Sequence, residues 1–293
     1  MKIFLKAVAV FAAILLVSAA LTPVLDDLLP YKFEKIFRRM VMVLTLLAVA
    51  LFVKVRRETL VRFEMDWRKD SAALLGKGLL IGFGVLTAFT LTEFLIGNAR
   101  WAPRDYGAFT WVRKIFGCFL TAAVIGPLEE FFFRGFVYTS FRDKLFRGKV
   151  LPGMVLASVF YSLIHFIDFR QASIAPDPGF VDGLKLIAAP LQSLARWQDQ
   201  WPAAIGLFLF GMALNYGVVR SKSLYPSIGL HASCVLFVRM VGYFIGFLEH
   251  HKFLLSTKKV YDGALGWAFL LLIGFLFHKF LKQVNTDRLS GRR

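Results

Sequence analysis

Apolar residues in this chain come in runs of 17 to 30, separated by short polar and basic segments. The runs fall at about 3–22, 37–53, 79–97, 112–141, 150–167, 201–219, 226–248 and 264–281. About 20 apolar residues in helical form span the hydrocarbon core of a bilayer, so the pattern predicts an all-α polytopic membrane protein, a bundle of about eight transmembrane helices. The fourth run is long enough to tilt or to project beyond the bilayer. A signal-peptide reading of the first run competes, because Lys2 and Lys6 precede it and Val17-Ser18-Ala19-Ala20 is built of small residues. Pro23 and the next apolar run fit a continuing multi-span chain better. No repeat, low-complexity tract or linker divides the sequence, so 1–293 reads as one integral-membrane domain.

Composition sharpens this picture. Hydrophobic residues make up 57% of the chain and the mean hydropathy is +0.62. The net charge of +17 invites a nucleic-acid reading, but Lys and Arg lie between the apolar runs, as in loops beside anionic lipid headgroups. The bilayer, not a nucleic acid, is the expected partner. Of 36 Lys and Arg, 20 fall on the side of the N-terminus and 14 on the other. That excess predicts both termini in the cytoplasm, and the inner membrane if the cell is bacterial. Cys118 and Cys234 sit inside apolar runs as small hydrophobes, with no disulfide framework or zinc spacing. The longest connection, 168–200, contains Pro176-Asp177-Pro178-Gly179 and then an apolar–polar mixture from Leu184 to Trp197, which predicts an interfacial amphipathic helix or, functionally, a lid.

Chemistry concentrates at Pro127-Leu128-Glu129-Glu130-Phe131-Phe132-Phe133-Arg134. Ionisable residues inside a membrane span are costly and mark function by default. On a helix Glu130 and Arg134 share a face and can pair, whereas Glu129 points about 100° away. A carboxylate without an ion-pair partner in such a site is suited to take a proton from water and return it to a leaving group. The competing reading is a structural ion-pair cluster. His165 and His231 also lie in apolar runs, where they can orient water, donate to an oxyanion or bond across helices. Two Glu and two His could also ligate a metal, but no His-Glu-x-x-His spacing occurs and Glu130 is committed to Arg134. No metal and no cofactor are expected.

Glu129-Glu130-x-x-x-Arg134, an aromatic (Tyr161) four residues before His165, and His231 after Ser223-Leu224-Tyr225-Pro226-Ser227 resemble the CPBP (Abi) family of CAAX proteases and bacteriocin-processing enzymes. The matching core covers about 112–248. The resemblance implies an intramembrane glutamic endopeptidase in which Glu129 activates water with help from His165, His231 belongs to the oxyanion hole, and Glu130 and Arg134 support the site. It also implies a membrane-associated protein or peptide as substrate, cut near its C-terminus or in a leader. Val235 stands four residues after His231, where the family carries Asn or Asp, so one oxyanion donor is missing. Asn215, on the preceding span, is a substitute candidate, with helix–helix hydrogen bonding as its alternative. Arg239 is a candidate for a substrate carboxylate or for an ion pair with Glu93 or Glu249. Two other functions stay open: a catalytically silent relative acting as a membrane binding or regulatory partner, argued by Val235, and a proton-coupled transporter, argued by the buried charges.

Overall fold

The computed structural model describes residues 2–55, 60–166, 173–195, 197–248, 253–257 and 259–283. Every predicted apolar run contains a helix: α1 (Lys2–Asp26), α2 (Phe33–Val55), α3 (Ser71–Leu95), α4 (Ala108–Glu130), α5 (Val150–Ile164), α7 (Trp197–Ser221), α8 (Tyr225–Phe244) and α9 (Ala264–Phe280). The amphipathic stretch in the long connection forms α6 (Phe180–Ala195). Five helical segments are long and apolar enough to cross a membrane: Ala9–Asp26, Ser71–Leu95, Ala108–Leu145, Gln200–Ser221 and Tyr225–Phe244. Val150–Ile164 and Ala264–Phe280 are apolar but shorter. The protein is an integral membrane protein, with five such spans supported among the described residues.

Two compact units make up the chain, 1–58 with 163–200 and 59–162 with 201–293. In the first, Ala19 of α1, Phe33 and Phe37 of α2 and Leu186 of α6 form a buried cluster. Gly183 meets the Ala19 backbone so closely that a Cβ would lie 2.7 Å from its carbonyl oxygen. Asp182 caps the start of α6: Gly179 N–H and Lys185 Nζ donate to it at 3.1 and 2.8 Å. Lys185 and the backbone donors hold the Asp182 carboxyl below the usual carboxylate range.

The second unit is organised on α8. Small residues let α3 and α8 approach at backbone distance: Gly78 abuts the Pro226 carbonyl, Gly82 the Ser233 hydroxyl and Gly229 the Leu75 carbonyl, and a Cβ at any of them would overlap its neighbour. In a membrane, where apolar side chains gain little by leaving lipid, such close packing is a principal source of helix association. On α8's other side Gly126 of α4 faces Ala232, with room for a Cβ only 3.2 Å away. Ser227 Oγ donates to the Leu214 carbonyl at 2.7 Å, fixing α8 to α7.

Two features depart from the predicted runs. The run at 226–248 stops being helical at Phe244, because Ile245–Phe247 becomes strand β2 and pairs antiparallel with β1 (Ala99–Trp101), in register Arg100↔Gly246. The apolar pattern alone does not separate a helix end from a short buried strand. The long fourth run stays helical from 108 to 145 but changes hydrogen-bonding pattern: Phe131–Tyr138 and Phe141–Leu145 are π-helical. Pro127 lies in the last turn of α4, where it removes the amide that would bond back to the previous turn. The wide turns begin four residues later, directly after the two glutamates.

Candidate active site

Glu129 and Glu130 close α4, and the π-helical turn that follows carries Arg134. π-bulges inside helices often accompany functional sites because they re-aim side chains without ending the helix. Here Glu130 and Arg134 stay within reach of each other: Arg134 Nη1 lies 3.0 Å from Glu130 Oε1, with the two side chains 1% and 0% exposed. This is the predicted i,i+4 pair, in a setting where losing either partner would strand a buried charge.

α8 delivers the third member. His231 Nδ1 lies 2.7 Å from Glu130 Oε1. With Glu130 ionised opposite Arg134, Nδ1–H is the donor, which turns Nε2 toward Glu129; Nε2 stands 3.8 Å from Glu129 Oε2. Glu129 keeps 31% of its side chain exposed while Glu130 keeps none. Two adjacent carboxylates thus have opposite situations, one locked between a guanidinium and an imidazole, the other open. That is the division the helix spacing predicts.

Aromatic rings wall the cluster. The Arg134 guanidinium sits 4.2 Å from the centre of the Tyr161 ring on α5, and Phe210 on α7 meets the His231 ring edge-on at 5.7 Å. Cation–π contact of this kind is strongest where water is excluded. Tyr161, noted in the sequence only as an aromatic before His165, is therefore a direct partner of the charged pair. Phe210 and the anchor below were missed. The π-helical extension is tied down by Arg142, whose Nη1 lies 2.7 Å from Glu64 Oε1; the Glu64 backbone carbonyl in turn accepts the Leu224 amide at 2.8 Å, just ahead of α8. Three residue types common on any surface, far apart in sequence, carry no signal for this link.

The remaining sequence candidates lie as follows. Asn215 is buried, and its Nδ2 donates to Ser158 Oγ at 3.0 Å and, more weakly, to the Met154 carbonyl at 3.4 Å, which is the helix-bridging alternative. Val235 packs with Ala232 against an apolar cluster of Cys118, Ala122 and Leu236. His165 lies in the exposed turn just beyond α5 and falls in the first compact unit, whereas Glu129, Glu130, Arg134 and His231 belong to the second. Glu93, offered as a partner of Arg239, is bonded instead to Asn98; Glu249 lies outside the described residues. Among the described residues no group of three or more His, Cys, Asp or Glu is arranged to hold a metal ion.

Comparison with known proteins places this cluster. Residues 111–237, which contain the diglutamate, Arg134, His165, Asn215 and His231, match the family described as type II CAAX prenyl endopeptidase Rce1-like. Among curated proteins the chain is similar to the uncharacterized protein YyaK of Bacillus subtilis strain 168, with 22% identity over 177 residues. That alignment covers 60% of this chain and 48% of YyaK, so the chain spans about half the length of the relative it matches. No solved structure gives a significant match. The segment that holds the Glu130–Arg134–His231 cluster is an Rce1-like domain of the CPBP family.

Proposed function

We propose that the protein is an intramembrane glutamic endopeptidase that hydrolyses a peptide bond in a membrane-associated protein or peptide. The observation that carries this reading is the asymmetry of the two glutamates: Glu130 is held by Arg134 and His231, and Glu129 is left open 3.8 Å from His231 Nε2. In the reaction Glu129 takes a proton from water, the resulting hydroxide adds to the scissile carbonyl carbon, and the carbonyl oxygen becomes an oxyanion. Collapse breaks the C–N bond, and the protonated Glu129 returns its proton to the leaving amine. His231 faces the oxyanion, the role that the family resemblance implies. Because Nδ1–H is given to Glu130, Nε2 has a proton to donate only while the ring is charged, and a charged ring here lies between two carboxylates. Glu130 and Arg134 act through His231 as positioning residues. Both termini face the cytoplasm in this reading, as the basic-residue excess predicts, and the remaining apolar helices complete a bundle of about eight spans.

Val235 favours one second reading, a catalytically silent relative that binds a membrane partner, since valine donates nothing to an oxyanion. Proteome-wide mapping of protein termini separates the two, using cells that express the wild type or Glu129→Gln at equal level. A class of new termini present with the wild type and absent with the variant supports the protease. Identical profiles, together with a phenotype on deleting the whole chain, support the silent relative.

A further inference from the structure

Arg134 is a buried cation with more donors than acceptors. A guanidinium carries several N–H groups in one plane, and the Arg134 side chain is only 1% exposed. Nη1 meets Glu130 Oε1 at 3.0 Å, while among the described residues Nε and Nη2 have no hydrogen-bond acceptor and Glu130 Oε2 has no donor. Glu130 Oε1 alone takes both Arg134 Nη1 and His231 Nδ1, the latter at 2.7 Å. The pair therefore lacks the parallel bonds that fix an Arg–carboxylate fork. One N–H···O contact sets a distance but leaves the guanidinium plane free to turn about it. Any such turn moves the one oxygen on which His231 depends.

The plane is set by an aromatic face. The guanidinium carbon of Arg134 lies 4.2 Å from the centre of the Tyr161 ring, well inside the roughly 6 Å over which a ring quadrupole attracts a cation. The neighbouring Phe133 ring, at 5.7 Å, is near the edge of that range. Tyr161 is itself 2% exposed and wedged between Phe133, edge-on at 4.9 Å, and Phe210 at 6.3 Å. Phe210 continues to the His231 ring at 5.7 Å. Helices α5 and α7 thus bring no charge to the cluster yet hold both of its ends, Tyr161 at the guanidinium and Phe210 at the imidazole. A π face asks for no acceptor geometry, so it attracts the part of the guanidinium that Glu130 does not reach. In a site this buried, that attraction is at its strongest.

We propose that Tyr161 is a positioning residue: its ring holds the plane of Arg134, and through Arg134 and Glu130 it fixes the orientation of His231. Its effect on turnover rests on the endopeptidase reading; its effect on His231 does not. The test replaces Tyr161 in the full-length protein by phenylalanine and then by mono-, di- and trifluorophenylalanine, which keep the shape while draining the ring quadrupole. Two readouts are taken in detergent. One is cleavage of a fluorogenic prenylated CAAX peptide, the substrate class in the matching family's description. The other is the His231 Nδ1–H proton resonance, assigned by its loss in His231→Gln. Tyr161→Phe is expected to behave as wild type, because the ring acts and not the hydroxyl. Across the fluorine series kcat per folded molecule falls stepwise, by about 10- to 30-fold in all, with KM steady. Exchange of the Nδ1 proton with solvent quickens in the same order. A flat exchange series overturns the proposal whatever the rates do. So does a Tyr161→Phe variant already as impaired as the trifluoro protein, which assigns the role to the hydroxyl. If the wild type cuts nothing, the endopeptidase reading falls, and the exchange series alone decides the role of Tyr161.

Discussion

Two carboxylates, Glu130 and Glu93, are both fully buried in membrane-crossing helices of the same unit, yet they do different things. Glu130 faces a guanidinium at 3.0 Å and an imidazole at 2.7 Å, and its neighbour Glu129 opens onto free space. Glu93 is met by the neutral amide of Asn98. Asn98 in turn accepts the Leu248 amide at 2.9 Å and reaches the Ser256 carbonyl at 3.5 Å, so Glu93 joins the end of α3 to the ribbon and to the loop before α9. A charge inside a membrane protein is a functional hypothesis by default, and the comparison refines it. Burial alone marks cost; charged partners beside an open carboxylate are what the proposed reaction uses.

The contrast can be broken most directly at Glu129. Replacing it by Gln keeps shape and removes the proton acceptor, so peptide cleavage by purified protein falls by about 10²–10⁴-fold while the thermal unfolding midpoint stays put. A variant with wild-type rates would make the open glutamate as structural as Glu93. Arg134→Ala comes next: stranding Glu130 is expected to cost about 3–5 kcal/mol, read as a lower unfolding midpoint in detergent along with loss of cleavage. Arg134→Lys should restore part of the stability, because the charge returns without the planar group that lies over Tyr161.

Smaller effects sharpen the other half of the comparison. Asn98→Ala removes the partner of the Glu93 carboxyl and is expected to destabilise by about 1–3 kcal/mol, with turnover per folded molecule unchanged. Glu93→Gln keeps an acceptor for Asn98 and removes any charge, so stability should move by less than about 1 kcal/mol and cleavage not at all. If Glu93→Gln abolished cleavage in well-folded protein, the distinction between the two buried acids would collapse.

Much of this was legible before any coordinates. The i,i+4 spacing of Glu130 and Arg134 predicted their pair, and the 100° offset predicted an open Glu129, because both follow from helical geometry over one turn. The π-helical widening after Phe131 left that relation intact. His231 was legible as a polar residue in an apolar run, but its choice of Glu130 as closest partner was not, since that depends on how far α8 slides along α4. The same limit hid Phe210, the Glu64–Arg142 anchor and the β1–β2 ribbon, all of which join segments distant in the chain. Arg239 shows the opposite error: a plausible charge pairing with Glu93 was drawn from sequence, whereas Asn98, five residues from Glu93, holds that acid.

By itself, then, the amino-acid order determined a helical membrane protein, the position of its charged centre and which of two adjacent glutamates pairs with Arg134, because hydrophobic run length and side-chain period are local properties. Tertiary structure decided which helices touch, through glycines at 78, 82, 126 and 229 that allow backbones to meet. That contact set which imidazole nitrogen faces which carboxylate. Both depend on angstrom-scale register between helices, which no one-dimensional pattern encodes.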